Sequence, residues 1–266
     1  MPVENSLHDW LTIRVGRGTL SFALLSQDGN VTFEPYVVKS GVSMAANLRE
    51  AFKTSQLLTL GVARARVLID SGVLMVPIEQ FDEVLKEDLY HYTFPGTEKM
   101  AVCHNILPDL NAVALFSVNK DLRLVIDDHF KGVKLLAAVC PVWRHLHQRS
   151  YTGTHSKLYG YFHERQLDVF AFQQNRFRFC NAYEVRHAHD ALYFLLYVWQ
   201  QLQLRATTDE LHIVGDMPDQ PWLVDQLRRF VRNTYVVSPS ADFNRAPVTT
   251  IKAMPYDMQT LFVKGR

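Results

Sequence analysis

Leu11, Ile13 and Val15 alternate with Thr12, Arg14 and Gly16, the period of two that predicts a half-buried β-strand. The alternation resumes over Leu20 to Leu25 and Val31 to Val38, and between these runs Asp28-Gly29 supplies the positive-φ residue of a tight hairpin. An antiparallel meander of three strands is therefore predicted. The second half of the chain repeats it with Leu158 to Phe162, Leu167 to Phe172 and Arg176 to Tyr183, turning at Gln174-Asn175.

Between and after the meanders the period changes. Ser43 is placed to cap a helix over Met44 to Phe52, whose Ala45, Leu48, Ala51 and Phe52 share one face. Strands are predicted at Arg66 to Ser71, Val73 to Pro77, Met100 to Ile106, Ala112 to Val118 and Val133 to Val139. Helices are predicted at Phe81 to Tyr90 and Lys120 to Phe130, and a short one ending at Arg149 after the strand at Val133 to Val139. After the second meander a helix from His187 to Leu204 is apolar enough on most sides to be sandwiched, and Leu211 to Val214, Pro221 to Val231 and Tyr235 to Val237 read as strand, helix, strand. That alternation implies parallel pairing, so each sheet is expected to be mixed. Tyr151-Thr152-Gly153-Thr154-His155-Ser156 is small and polar, the composition of a passage between lobes. The expected architecture is α/β and duplicated, with an N-terminal lobe over 1–152 and a C-terminal lobe over 153–266.

Composition narrows the function classes. The 28 basic and 27 acidic side chains nearly cancel, so the total charge argues against nucleic acid as a partner. Cys103, Cys140 and Cys180 are far apart and odd in number, which argues against a disulfide framework and fits a reducing, cytoplasmic setting. The opening residues lack a basic stretch followed by an apolar one, and the longest apolar run, Ala191 to Trp199, is too short for a bilayer, so no leader and no membrane span are expected.

Two short segments carry a resemblance. Ile13-Arg14-Val15-Gly16-Arg17-Gly18-Thr19 begins in the first strand and runs past its end, and Leu211-His212-Ile213-Val214-Gly215-Asp216 ends a strand before the helix that holds Pro221, Trp222, Leu223 and Leu227. Together with the order of elements over nearly the whole chain, they resemble the actin-like ATPase superfamily, of ribonuclease H-like fold. Within it they are similar to the actin-like proteins of bacterial pilus assembly and secretion, and the chain looks like a member of a bacterial family of unknown function assigned the actin-like fold. The resemblance implies two lobes with nucleotide bound between them. It also implies phosphate loops that begin with an acid and a glycine, and an adenosine motif ending in Gly-Gly.

This chain departs from that pattern at each informative residue. Arg14 stands for the first acid, His163 and Glu164 stand where the second loop should offer acid and glycine, and Asp216 replaces the second glycine of the adenosine motif. Glycines there would let backbone N–H groups close on phosphate, and the acids would organise Mg²⁺. A guanidinium in place of a carboxylate about 4 Å from Mg²⁺ changes the interaction by several kcal/mol even at an effective dielectric near 20. The resemblance then implies cleft-lining residues Arg14, Gly16, Arg17, Gly18, His163, Glu164, Gly215 and Asp216, with no catalytic residue and no metal ligand among them.

The expected function is accordingly a degenerate, non-catalytic actin-like protein that serves as an interaction or scaffold module for an unidentified protein partner. A first alternative binds ATP or ADP and takes its carboxylate from Asp168, Glu164 or Asp216. A second is a ribonuclease H-like nucleic-acid-processing protein, against which stands the Arg14 on the first strand, where two-metal chemistry needs an acid.

Other clusters have simpler readings. On a helix, His187 and His189 point far apart and cannot share a metal ion, so His187-Ala188-His189-Asp190 reads as a polar helix start. His145 and His147 have the same spacing, and Cys103-His104 reads as a buried thiol beside a surface histidine. Arg64 with Arg66, and Arg176 with Arg178, share strand faces and read as solvated outer surface, while the aromatics of the second meander, Tyr159 to Tyr183, read mainly as core.

Overall fold

The computed structural model describes residues 10–151, 153–173 and 176–263, so the expected turn at Gln174-Asn175 lies outside the described residues. The chain divides into two compact units. One comprises the residues up to Leu107, Val113–Val142 and the residues from Ala246 onward; the other comprises Pro108–Ala112 and Trp143–Arg245.

The first unit opens with β1 (Leu11–Val15), β2 (Leu20–Leu25) and β3 (Val31–Tyr36), followed by α1 (Met44–Thr54), β4 (Arg64–Ile69), β5 (Val73–Pro77), α2 (Lys86–Thr93), β6 (Met100–Leu107), β7 (Ala112–Asn119), α3 (Lys120–His129) and β8 (Gly132–Ala137). Its five-stranded sheet has the order β3-β2-β1-β4-β8, and a second sheet has the order β5-β7-β6. The meander strands pair antiparallel, whereas β4 runs parallel to β1 and β8 parallel to β4, giving the mixed sheet expected.

Local chemistry explains the boundaries. Ser43 accepts from the Ala46 N–H at 3.2 Å and starts α1, and Asn119 accepts from the Leu122 N–H at 3.0 Å and starts α3. The strand β3 is at the sheet edge, where Pro35 costs no ladder bond. The helix expected from Phe81 begins only at Lys86, because the Asp82 carboxylate accepts from the Val84 N–H at 2.9 Å and holds a turn that competes with helix.

The strand β1 is buried on both faces, not one: Thr12 is 0% and Arg14 1% exposed. Helices α1 and α3 pack together. The opposite face, with Ala23, Leu25 and Leu68, packs on Val248, Met254, Met258 and Phe262, the last two from α8 (Tyr256–Phe262).

The helix α4 (Val139–Ser150) leads to β9 (Lys157–His163), β10 (Gln166–Gln173), β11 (Arg176–Glu184), α5 (Ala188–Gln201), β12 (Glu210–Gly215), α6 (Gln220–Phe230), β13 (Asn233–Val236) and α7 (Pro239–Asp242). The sheet order of the second unit is β11-β10-β9-β12-β13, with the same strand directions as in the first. Ala191, Leu195 and Val198 of α5 and Leu223 and Leu227 of α6 pack with Leu158, Phe162, Leu167 and Ile213 of the sheet. The helix α5 is not sandwiched as expected: Tyr193 and Tyr197, one turn apart, are 62% and 45% exposed and stack on each other. Among the described residues no helix is long and apolar enough to cross a membrane.

Candidate functional site

Matching backbone bonds align the two meanders. The Asp70 N–H donates to Val15 O at 2.9 Å in the first unit, and the Asp216 N–H to Phe162 O at 3.1 Å in the second. Arg14 thus corresponds to Tyr161, the loop Gly16 to Thr19 to His163 to Gln166, and Asp70 to Asp216.

In the first unit the hairpin closes with the Gly16 N–H donating to Thr19 O at 2.8 Å. Arg17 and Gly18 are at its exposed tip, and a Cβ on Gly18 would meet nothing within 4 Å, so that glycine is not demanded by space. Arg14 points into the unit. Its Nε reaches both carboxylate oxygens of Asp257 at 3.0 and 2.8 Å, and its Nη1 donates to Thr19 Oγ1 at 3.1 Å. Its Nη2 lies 3.7 Å from Asp70 Oδ2, and the other oxygen of Asp70 is 3.6 Å from Arg17 Nε. Two arginines and two aspartates therefore balance, and three of the four side chains are almost wholly excluded from water. Desolvating such charges is tolerable only because each has a bonded partner.

Sequence reasoning located Arg14 but missed both of its carboxylates. Asp70 was legible, since it directly follows a buried strand in the sequence Ile69-Asp70-Ser71-Gly72. Asp257 carried no comparable signal.

The second unit is built differently. Glu164 and Arg165 have φ of 40° and 65°, the left-handed pair of a two-residue hairpin that glycine or asparagine usually fills. His163 Nε2 lies 2.6 Å from Asp168 Oδ2; the carboxylate can only accept, so the proton is on Nε2. The Tyr161 ring stacks on the His163 imidazole, with centroids 4.6 Å apart. Gly215 has φ of 102°, and a Cβ there would lie 2.0 Å from Phe162 O, so close backbone approach at the end of β12 requires this glycine. Asp216 follows it with its side chain exposed. The structure thus groups Arg14, Gly16, Arg17 and Gly18 on one hairpin, and brings His163 and Glu164 next to Gly215 and Asp216 across the β9–β12 pair.

A cavity of about 500 Å³ in the second unit had no sequence signal. Arg149, Lys157, Glu210, His212, Tyr235 and Asp242 line it. Glu210 Oε2 is 2.8 Å from His212 Nε2 and 3.9 Å from Lys157 Nζ, and Asp242 pairs with Arg149 and, at 2.7 Å, with His145. The rings of Tyr159, His212 and Tyr235 stack across three neighbouring strands. Burial pulls the pKa of Lys157 and of His212 down, the latter against its bond to Glu210. The volume suits a small ligand, and the alternating charges suit one carrying both signs.

The remaining clusters are structural. His187 and Asp190 form a capping box at the start of α5, and His189 packs on Trp222. Burial raises the pKa of the Cys103 thiol, which makes it a poor nucleophile. Among the described residues no three His, Cys, Asp or Glu side chains are grouped to hold a metal ion. Arg66 is a correction: it is buried, not solvated.

Comparison with known proteins agrees with this architecture. A Bacteroides thetaiotaomicron VPI-5482 protein with actin-like ATPase fold and unknown function superposes with a TM-score of 0.86 at 25% identity, covering 100% of this chain and 99% of that one. The PilM-PilN type IV pilus biogenesis complex matches at a TM-score of 0.61 and 11% identity, over 97% of this chain and 98% of the matched chain. The cytoplasmic domain of EpsL, an inner membrane component of the type II secretion system of Vibrio cholerae, matches at 0.45 and 12% identity, over 95% and 92%. No curated protein sequence matches the chain. The fold is the actin-like ATPase fold, and a family model matches residues 2–234, so the chain belongs to the family described as "Protein of unknown function (DUF3822)".

Proposed function

We propose that this protein is a non-catalytic member of the actin-like fold that works as an interaction module, with its duplicated sheets retained as scaffold. The observation that carries this reading is the fate of Arg14. At the position that the resemblance assigns to a phosphate-loop acid, a guanidinium is buried and bonded to Asp257 and Asp70. Magnesium would meet a cation there, and both nearby carboxylates are already engaged by arginine.

The equivalent position in the second unit is Tyr161, and Asp168 is held by His163. Neither half offers the acid-glycine start that the family uses for phosphate. The PilM structure was solved as a complex with PilN, so this fold is compatible with service as a docking partner in an assembly. A cytoplasmic protein partner of this chain fits that role.

The test is thermal unfolding of the full chain with and without millimolar Mg-ATP or Mg-ADP, alongside an ATP turnover assay. A ligand at 100 times its Kd would add about 2.7 kcal/mol and several degrees. No rise and no turnover are expected. Turnover lost on Asp168→Asn, Glu164→Gln or Asp216→Asn would overturn the proposal in favour of an ATPase with displaced carboxylates.

A further inference from the structure

The helix α2 carries an apolar stripe on the side turned away from its own core. Leu85 opens the helix, and Leu89 and Tyr92 follow at spacings of four and three, so the three side chains share one face. They are 55%, 41% and 87% exposed, and Val84 beside them is 86% exposed. The core face is a different one. Tyr90 is buried, donates to Gly72 O at 2.8 Å, and packs with Phe94 against Val76, Val102, Val113 and Leu115. At about 100° per residue, Tyr90 and Phe94 point nearly opposite to Leu85, Leu89 and Tyr92.

Folding alone does not account for this stripe. The inward contacts anchor α2, and an outward face that met only water would be filled equally well by polar side chains. The Tyr92 ring stacks on no other ring among the described residues, whereas Tyr193 and Tyr197, the exposed aromatics of α5, stack on each other. The stripe is also set in acid. Residues 78–92 contain five acidic side chains, Glu79, Asp82, Glu83, Glu87 and Asp88, against Lys86 as the single lysine or arginine, in a chain whose charges otherwise nearly cancel. All five acids are exposed at the surface. Lys86 pairs with Glu83 at 3.2 Å, and among the described residues Glu87 and Asp88 form no ion pair.

We propose that this stripe docks an amphipathic segment of a partner protein whose apolar residues are flanked by lysine or arginine. The inference rests on the reading of the chain as an interaction module and gives that module a surface. Charge complementarity selects the occupant. Apolar side chains of the segment would cover Leu85, Leu89 and Tyr92, and its cations would meet Glu87 and Asp88 at the rim, where they speed encounter and fix register. A second copy pairing through the same face would bring the two acidic rims together, because a two-fold interface sets each patch against itself. An anionic lipid surface would be repelled by the rim in the same way.

The test is selection on the full chain from a displayed library of peptides that carry leucine at i, i+4 and i+7 between randomised flanks. Enrichment of lysine and arginine in the flanks is expected, followed by saturable binding of an enriched peptide in fluorescence polarisation. Leu89→Ser and Tyr92→Ser should each weaken that binding about tenfold or more. Glu87→Gln with Asp88→Asn should weaken it and flatten its dependence on salt. These side chains are exposed, so the variants should keep the melting temperature of the parent. Tyr193→Ser, at an exposed aromatic elsewhere, should leave binding unchanged.

No enrichment, neutral or acidic flanks among the enriched peptides, or equal binding by the parent and the stripe variants would overturn the proposal. So would a dimer in sedimentation that Leu89→Ser disperses, or binding to phosphatidylserine vesicles that it abolishes, since the face would then belong to a second copy or to a membrane. ATP turnover lost on Asp168→Asn, Glu164→Gln or Asp216→Asn would sink the wider reading whatever the peptides do. Failure of the peptides in a chain without turnover would sink this surface alone.

Discussion

Arg14 and Asp257 are 243 positions apart in the chain, yet the Arg14 Nε contacts both carboxylate oxygens of Asp257, at 3.0 and 2.8 Å, with both side chains shut away from water. This contact ties the first strand to the last helix. It also converts a position that resembles a nucleotide-binding loop into part of the interior.

Removing one member of that pair leaves an uncompensated buried charge. Arg14→Met or Asp257→Asn should each cost about 3–5 kcal/mol in urea unfolding. The double variant should lose markedly less than the sum of the two, because neither charge is then left unpaired by the other. Additive losses would show that the two residues do not stabilise one another.

Gly215 and Gly18 should respond in opposite ways to alanine. At Gly215 the backbone has φ of 102° and the new Cβ would lie 2.0 Å from Phe162 O, so β9 and β12 must part. A loss of more than about 3 kcal/mol, or failure to fold, is expected. Gly18→Ala meets open space and should shift stability by less than about 0.5 kcal/mol. Equal melting temperatures for the two variants would contradict the geometry at the end of β12.

Asn47 is 1% exposed and organises the entry to α1. Its Oδ1 accepts from the Lys39 N–H at 2.8 Å, and its Nδ2 donates to the carbonyls of Val42 and Ser43, each at 3.1 Å. Asn47→Ala leaves the Lys39 N–H and the Val42 carbonyl without these bonds, while the Ser43 carbonyl keeps the backbone N–H of residue 47 at 2.9 Å, for an expected loss of about 1–3 kcal/mol. Asn47→Asp keeps the acceptor but not the donors, so it should rescue little of the loss measured in chemical denaturation.

Acid should weaken the second unit through His145. Burial, reinforced by the neighbouring Arg149, lowers its pKa from 6.5 to about 4, so the neutral ring donates from Nε2 to Asp242. A folded-state pKa below the unfolded one means that the unfolded chain binds the proton first. The contribution is therefore complete above about pH 6.5, declines as pH falls toward 4, and is gone below that value. The change amounts to ~2–3 kcal/mol. Denaturant midpoints measured from pH 7 to pH 4 should fall, and His145→Asn should flatten the profile over that interval. His212, whose pKa burial also lowers, should add to the same trend.

Most of the scaffold was legible because its signals are local. Alternation at Leu11, Ile13 and Val15, the Asp28-Gly29 turn, the Ser43 cap and the repeat at Leu158 to Tyr183 each depend on neighbours a few residues away, and backbone geometry responds to those neighbours directly. They sufficed for the mixed sheets, the duplication and the actin-like resemblance. Where local reading failed, a competing contact explains it. Asp82 holds a turn that delays α2, and the solvent on one side of α5 leaves Tyr193 and Tyr197 exposed despite the apolar run.

The chemistry of the candidate sites was decided elsewhere. A strand's period tells which side a residue takes, but not what lies over that side. Arg14 reads as a cation facing a loop until Asp257 arrives from the end of the chain, and Arg66 reads as solvated until Trp10 and Lys134 close around it. The sequence by itself determined the order, type and repetition of elements, since these follow from short-range sterics and the hydrophobic period. Only the tertiary structure decided which charges are neutralised and which are left bare, because that depends on side chains brought together across long stretches of chain.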